Sequence, residues 1–523
     1  MSSIPPPRTR ITTDANDLRR CGAVRVRWLL LAACVGTLGC SSSGPTTDAP
    51  ATGGDPPAAA GATMTAGTTS GAGGTLGPAA GASGSGGAGA PAVGGAAVGG
   101  SPTAVGGMAG AGVAGADAVA GAGTGGVAGS AATRPVENQS ADCPVGALPE
   151  PSALPQITKL PDPFKKLDGT RVASKAEWRC RRQEIRAEAE KYVFGAKPAF
   201  DVVTGTVTNT SISVHVEAKG KSIDFEAAIK LPTKGQPPYP ALINVGKTGL
   251  TLGESRILDQ GVAIIYYDNY ALGKEGTPEQ SRGKPNPGKY YDLYGGNDPA
   301  GLLMAWAWGA SRMLDVLQTS GSSIIDSTGI GVTGCSRLGK GAFAIGVFDD
   351  RIALTIPHEP STGGDPALRI MDKLSGAERT DHNYNGLNWL SNDFAPFVFS
   401  NNVSNVVKLP IDTHSLIAMM APRGVLILEN PHQTQMGAPA GHMATLAGLE
   451  VYKALGVEQN VSYHSSVAEM AHCSYKNEYT DLIAKSIAAF LKHEGEPPGQ
   501  ILVGANGSVN RADWIDWQAP TLP

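Results

Sequence analysis

The sequence predicts an α/β fold: a mostly parallel central sheet between helical layers in a three-layer α/β/α sandwich, with antiparallel strands on its N-terminal side. Three observations predict it. Short continuous apolar runs, of the kind buried on both faces of a parallel sheet, recur through the second half of the chain. Segments with helical periodicity lie between them, and such alternation calls for right-handed crossovers in a layered sheet. Ahead of both come stretches in which apolar and polar residues alternate, as in strands with one wet face.

Taken in order, residues 204–210, 213–217 and 224–231 alternate and are expected to pair as hairpins. The runs 241–245, 262–267, 330–333, 352–356 and 425–428 are expected as buried parallel strands, with 460–466 as a late strand. Helices are expected over 299–317, where Leu302, Leu303, Trp306, Met313 and Leu317 mark the apolar face, and over 340–348, 444–455 and 482–491. No internal repeat is visible.

The glycines correct the domain count that length alone suggests. Of 69 in the 523-residue chain, 28 fall between Ser41 and Ser130, where only Asp48, Asp55 and Asp117 are charged. With so few branched apolar or aromatic side chains, nothing there offsets the entropy of ordering the backbone, so 41–140 reads as a flexible tether. One large domain, 141–523, remains. Before the tether, Arg19, Arg20, Arg25 and Arg27 precede an apolar run too short to span a bilayer, so 1–40 reads as an export signal. It ends in Thr37-Leu38-Gly39-Cys40-Ser41, which resembles a bacterial lipoprotein cleavage box, although Thr37 stands where leucine is usual. Cys40 is therefore the candidate lipidation site and membrane attachment, at an outer membrane or cell surface, with plain secretion as the other reading. The 42 Lys and Arg against 46 Asp and Glu, net charge −4, leave no basic block in the foldable part, so a nucleic-acid partner is not expected. Nothing demands more than a monomer.

Seven cysteines are present, and three lie in the leader, which leaves Cys143, Cys180, Cys335 and Cys473. Export permits two bridges, and spacing alone leaves three pairings open. Cys143 and Cys180 bracket a short N-terminal segment, while Cys335 and Cys473 adjoin two candidate catalytic residues, and they are expected to pair that way.

Those candidates centre on one turn. In Gly334-Cys335-Ser336-Arg337-Leu338-Gly339-Lys340 a buried strand runs directly into a helix with a serine at the junction. This is the context of the nucleophile elbow of α/β-hydrolases, which lifts the hydroxyl above the sheet and aims the next N–H at a developing oxyanion. It departs from G-x-S-x-G, because Leu338 holds the second glycine's place and Gly339 follows. A serine nucleophile needs a histidine base and an acid to orient it. Of nine histidines, His472 follows the late strand in the order the fold expects, whereas His215 and His464 fall within strands and His493 ends a helix. Glu359 and Glu429 each follow a buried strand, and either could be the acid. His358 beside Glu359 lacks the spacing of a metal site, so no metal or other cofactor is expected.

The string Gly334 to Lys340, Glu359 23 positions after Ser336, and the later His472-Cys473 resemble the glucuronoyl esterases of carbohydrate esterase family 15. The resemblance extends over Leu160 to Phe164, Leu167 to Thr170, Lys175 to Trp178, Cys180 to Arg182, Ala421 to Gly424 and Asp513 to Trp517. It implies an α/β-hydrolase with Ser336 as nucleophile, His472 as base and Glu359 as acid, and it supports the Cys335–Cys473 pairing. It also implies oxyanion stabilisation by the Arg337 backbone and guanidinium, and sugar contact by Lys340. The implied substrate is the ester joining (4-O-methyl-)glucuronic acid of plant cell-wall glucuronoxylan to lignin alcohols.

Departures bear on the sugar contacts. Asn388-Trp389-Leu390 keeps the tryptophan of a family motif, but Gly386 stands near its expected glutamate, and the loop Asn430-Pro431-His432-Gln433-Thr434 lacks the family's second tryptophan. Trp389, His432 and Gln433 are the candidates for substrate contact. Other readings stay open: a related uronate or generic carboxylesterase, a peptidase of the same fold, which Arg337 and Lys340 argue against, and a catalytically weak cell-surface polysaccharide-binding protein, which a replaced Ser or His would have indicated.

Overall fold

The computed structural model describes residues 136–275, 286–381, 388–398 and 404–523. The leader, Cys40, the glycine-rich segment and Gly386 lie outside them. The alternating segments form β1 (Val202–Val207), β2 (Ser211–Ala218) and β3 (Lys221–Lys230), an antiparallel meander. In β3, Ile223, Phe225, Ala227 and Ile229 are buried while the residues between them are exposed, so the period of two selects the face.

The apolar runs form β4 (Tyr239–Val245), β5 (Ala263–Tyr267), β6 (Ile325–Cys335), β7 (Leu354–His358), β8 (Gly424–Leu428) and β9 (Val461–His464), with β10 (Ile501–Leu502) at the edge. The sheet order is β1-β2-β3-β5-β4-β6-β7-β8-β9-β10. From β5 to β10 every pairing is parallel, and β3 joins β5 antiparallel. β6 is longer than its apolar run because the polar stretch before Ile330 also extends, reaching Tyr239 of β4 at Ile325. β7 starts at Leu354, two residues after the expected start.

The helices are α1 (Lys175–Ala189), α2 (Glu254–Leu258), α3 (Asn269–Leu272), α4 (Lys289–Tyr294), α5 (Leu302–Thr319), α6 (Arg337–Phe348), α7 (Leu368–Met371), α8 (Thr413–Met419), α9 (Ala438–Leu455) and α10 (Thr480–Leu491). Ile243, Ile265, Val332 and Ile427 pack under α1, α5, α6, α8 and α9. Their chain neighbours Leu242, Ile264, Leu426 and Leu428 face the opposite way, under α2 and α10. Three layers result from that alternation. Among the described residues no helix is long and apolar enough to cross a membrane.

Apolar periodicity did not predict α1, and the reason is chemical. Its buried face includes Arg181, Arg182, Arg186 and Glu188. Arg181 pairs with Glu188 at 3.2 Å, Arg182 with Asp350, and Arg186 donates to the Phe348 carbonyl at 3.3 Å. The N-terminal and C-terminal motifs meet at one seam: Trp517 Nε1 donates to the Leu160 carbonyl at 2.8 Å.

A second buried ion pair joins α7 to the start of α8. Arg369 and Asp412 are fully buried and paired at 2.8 Å, and the guanidinium also reaches the carbonyls of Ile157, Leu409 and Ile411. Removing one partner of such a pair strands the other charge. Arg369→Met is therefore expected to cost about 3–5 kcal/mol in denaturant unfolding, near the top of the range for a single substitution.

Candidate active site

Strand register builds the site. Cys335 of β6 lies opposite His358 of β7, His358 opposite Leu428 of β8, and Leu428 opposite His464 of β9. The residues one step further on, Ser336, Glu359 and Glu429, therefore leave the sheet at one level of its C-terminal edge, and the loop after β9 brings His472 over them.

Ser336 adopts φ +57°, a left-handed conformation rare outside glycine. Its N–H donates to the His358 carbonyl at 2.9 Å, and its own carbonyl accepts the first bond of α6 from Lys340 N–H at 3.0 Å. The amides of Arg337, Leu338 and Gly339 thus form the free first turn of α6. A Cβ at Gly334 would come within 2.3 Å of the Leu338 carbonyl oxygen, and one at Gly339 would stand 3.0 Å from the carbonyls of both Gly334 and His358. The turn needs its second small residue at 339, so Leu338 is no obstacle.

Glu359 is fully buried, and its two oxygens are divided between partners. Oε2 accepts from His472 Nδ1 at 2.6 Å and from Cys473 N–H at 3.1 Å. Oε1 accepts from Lys476 Nζ at 2.6 Å, and His358 Nε2 lies 3.4 Å from it. Burial opposes ionisation of this carboxyl, but the polar hydrogens of His358, His472 and Lys476 outweigh it and hold it well below the usual carboxylate range. The bond to Nδ1 leaves His472 Nε2 to face away from the acid. Of the two candidate acids, this is the one bonded to the histidine. Glu429 is also fully buried, but its neighbour is Asp365. Burial, then the nearby Asp365, pushes Glu429 well above its ordinary range, and burial pushes Asp365 up to about 8.

Two disulfides are present. Cys143–Cys180 spans 5.3 Å between Cα atoms, and Cys335–Cys473 spans 5.8 Å. The second joins the residue before Ser336 to the residue after His472, across 138 positions of sequence. His472 and these two sulfurs lie within 4.8 Å of one another, but bridged sulfurs are not thiolate ligands for a metal.

The remaining predicted contacts are placed as follows. The Arg337 guanidinium is half exposed and pairs with Glu275 at 2.7 Å, so that carboxylate, which sequence reasoning missed, sets its direction. Glu275 also accepts from Trp389 Nε1 at 2.9 Å. Lys340 is buried, donates to Glu378 at 2.9 Å and to the Thr362 carbonyl at 2.7 Å, and lies 4.7 Å from the Trp389 ring centroid. Burial pulls its ammonium below the ordinary lysine range, against the carboxylate of Glu378. Trp389 is 3% exposed, more wall than platform. His432 and Gln433 are committed elsewhere: they bond the carbonyls of Val467 at 2.9 Å and Met470 at 2.6 Å, bracing the His472 loop. Glu275, Glu378 and Lys476 carried no motif signal, since lone charged residues in loops acquire partners only through the fold.

A parallel sheet between helical layers, with a strained serine turn and a Glu-bound histidine over its C-terminal edge, defines the class: an α/β-hydrolase. A model for fungal glucuronyl esterases matches residues 214–456. The 4-O-methyl-glucuronoyl methylesterase of Thermothelomyces thermophilus is 38% identical over 70% of this chain and 89% of its own length, and that of Hypocrea jecorina 35% identical over 72% and 79%. Among solved structures, the glucuronoyl esterase catalytic domain of Hypocrea jecorina superposes with a TM-score of 0.65 at 33% identity, covering 72% of this chain and 99% of that one. A mutant glucuronoyl esterase from Sporotrichum thermophile, in complex with methyl 4-O-methyl-β-D-glucopyranuronate, gives 0.65 at 35%, covering 73% and 100%. The chain belongs to the glucuronoyl esterase family of carboxylic-ester hydrolases.

The buried acid pair makes a signed prediction. A carboxyl whose folded pKa is raised loses stability for the protein as pH climbs from the unfolded value toward the folded one. Asp365→Asn removes that titration, so its stability relative to the parent is expected to grow between about pH 4 and pH 8 and level off above, as read by urea unfolding across that range.

Proposed function

We propose that this protein hydrolyses the ester between (4-O-methyl-)D-glucuronic acid of glucuronoxylan and lignin alcohols. Ser336 is the nucleophile, His472 the general base and then general acid, and Glu359 the acid that orients it. The observation that carries this reading is the His472 Nδ1–Glu359 bond of 2.6 Å, set over the same sheet edge as the strained Ser336 turn. Ser336 Oγ attacks the ester carbonyl as His472 Nε2 takes its proton. The tetrahedral oxyanion forms beside the first-turn amides of α6, beginning with Arg337, where the helix end favours negative charge. His472 returns the proton to the departing alcohol, and water repeats the cycle on the acyl-enzyme.

In the first turn of α6, Lys340 pairs with Glu378, while Glu275 accepts from Trp389, and these paired polar groups suit the hydroxyls of a sugar. The Arg337 guanidinium assists the oxyanion only by turning from Glu275. The chain is exported, which agrees with two disulfides, and Cys40 is its lipid anchor, with the glycine-rich segment as a tether that ends short of the expected residue 140, because Glu137 already pairs with Lys197 and Arg312 of the domain.

Full-length protein is expected to hydrolyse benzyl D-glucuronate, and Ser336→Ala to lose on the order of 10⁴-fold in kcat. A folded parent protein that leaves this ester intact while cleaving p-nitrophenyl acetate would move the assignment to a generic esterase. Palmitate labelling of the parent, absent in Cys40→Ser, tests the anchor.

A further inference from the structure

Four residues beyond His472 lies a buried cation that the triad mechanism does not use. The Lys476 side chain has no exposed surface. Its Nζ donates to Glu359 Oε1 at 2.6 Å and to the carbonyls of Ala471 and Ser474 at 3.2 and 3.3 Å, one on each side of His472-Cys473. Burying an ammonium is costly unless its protons find partners, and here every acceptor belongs to the acid or to the loop that carries the base.

We propose that Lys476 is a positioning residue of the reaction: it balances the charge of Glu359 on the oxygen opposite His472, leaving His472 free to act as base, and it pins the His472 loop. The inference rests on the assignment of Glu359 and His472 made above.

Other titratable groups also surround Glu359. His358, on β7, lies 3.4 Å from Oε1 and helps to lower the titration of that carboxyl, but burial pulls its own titration below the ordinary histidine range, and it makes no bond to the His472 loop. Glu429, one residue past β8, has its titration pushed well above the ordinary range by burial and then by Asp365 and Glu359. Tyr479, at the start of α10, is a neutral phenol whose titration burial pushes up. Glu478 is exposed and accepts from Ala468 N–H at 2.9 Å. Among the described residues, Lys476 is the buried lysine whose ammonium bonds this carboxylate, at 2.6 Å. Without it, the anion would be balanced by drawing a proton onto His472, and a protonated imidazole cannot take one from Ser336.

The test is the pH profile of benzyl D-glucuronate hydrolysis by full-length parent, Lys476→Gln, Lys476→Met and Lys476→Arg, beside Ser336→Ala. Lys476→Gln and Lys476→Met are expected to lower kcat by on the order of tenfold to a hundredfold with KM little changed. They should also move the acid limb of kcat/KM upward by about one pH unit, because the uncompensated carboxylate favours the imidazolium. Lys476→Arg keeps the charge and should keep the limb. Glutamine retains a donor and most of the length, so it separates charge from packing if the methionine variant does not fold. The His472 ring titration, followed by NMR in a Ser336→Ala background, reads the same upward shift without turnover. A folded Lys476→Gln with the parent's acid limb and ring titration overturns the proposal, as does an arginine variant shifted as far as the glutamine one. Absent turnover in the parent, or full turnover in Ser336→Ala, overturns the esterase assignment instead.

Discussion

A single buried negative charge organises this site. Glu359 has no exposed surface, so its carboxylate survives only because the protein supplies the hydrogen bonds that water would have made. Those donors come from the imidazole of His472, the amide of Cys473 and the ammonium of Lys476. All three lie on the loop after β9. Satisfying the charge and placing His472 are thus linked, and hydrogen bonds rather than regular structure hold that loop.

The disulfide between Cys335 and Cys473 closes the same circuit from the other side. It ties the end of β6, where the chain turns sharply at Ser336, to the residue beside His472. The turn depends on close backbone approach at Gly334 and Gly339, which explains why a leucine is tolerated where the usual pattern has glycine. Glu359, His472 and the Ser336 turn are each fixed by a different kind of constraint: ionic pairing, a covalent bridge beside the ring and steric exclusion. Glu429 occupies an equivalent strand end, yet burial and then its carboxyl neighbour Asp365 push its titration well above the ordinary range, against the pull of Lys340, and it is not the carboxyl bonded to His472.

Around the nucleophile, charge is arranged in facing pairs. Arg337 meets Glu275, Lys340 meets Glu378, and Trp389 bridges the two by donating to Glu275 and lying against Lys340. A wall of paired charges offers both donors and acceptors to a polyhydroxylated ring. The acids come from segments other than the one in which the family motif suggested a glutamate, and His432 and Gln433 each bond a carbonyl of the His472 loop.

The sequence by itself determined most of the strands, because a period of two and continuous apolar runs record which faces are buried, and it marked Ser336 as the candidate nucleophile, because a strand runs into a helix through glycines there. His472 was legible from chain order. The sequence left Glu359 and Glu429 equivalent, each a glutamate one step past a buried strand, and the family resemblance rather than any local signal favoured the first. Only the tertiary structure decided how each is solvated: three donors converge on one and a second carboxyl on the other. It also decided α1, whose buried arginines carry no apolar period, and Lys476, Glu275 and Glu378, because an ion pair between distant segments leaves no trace in either segment alone.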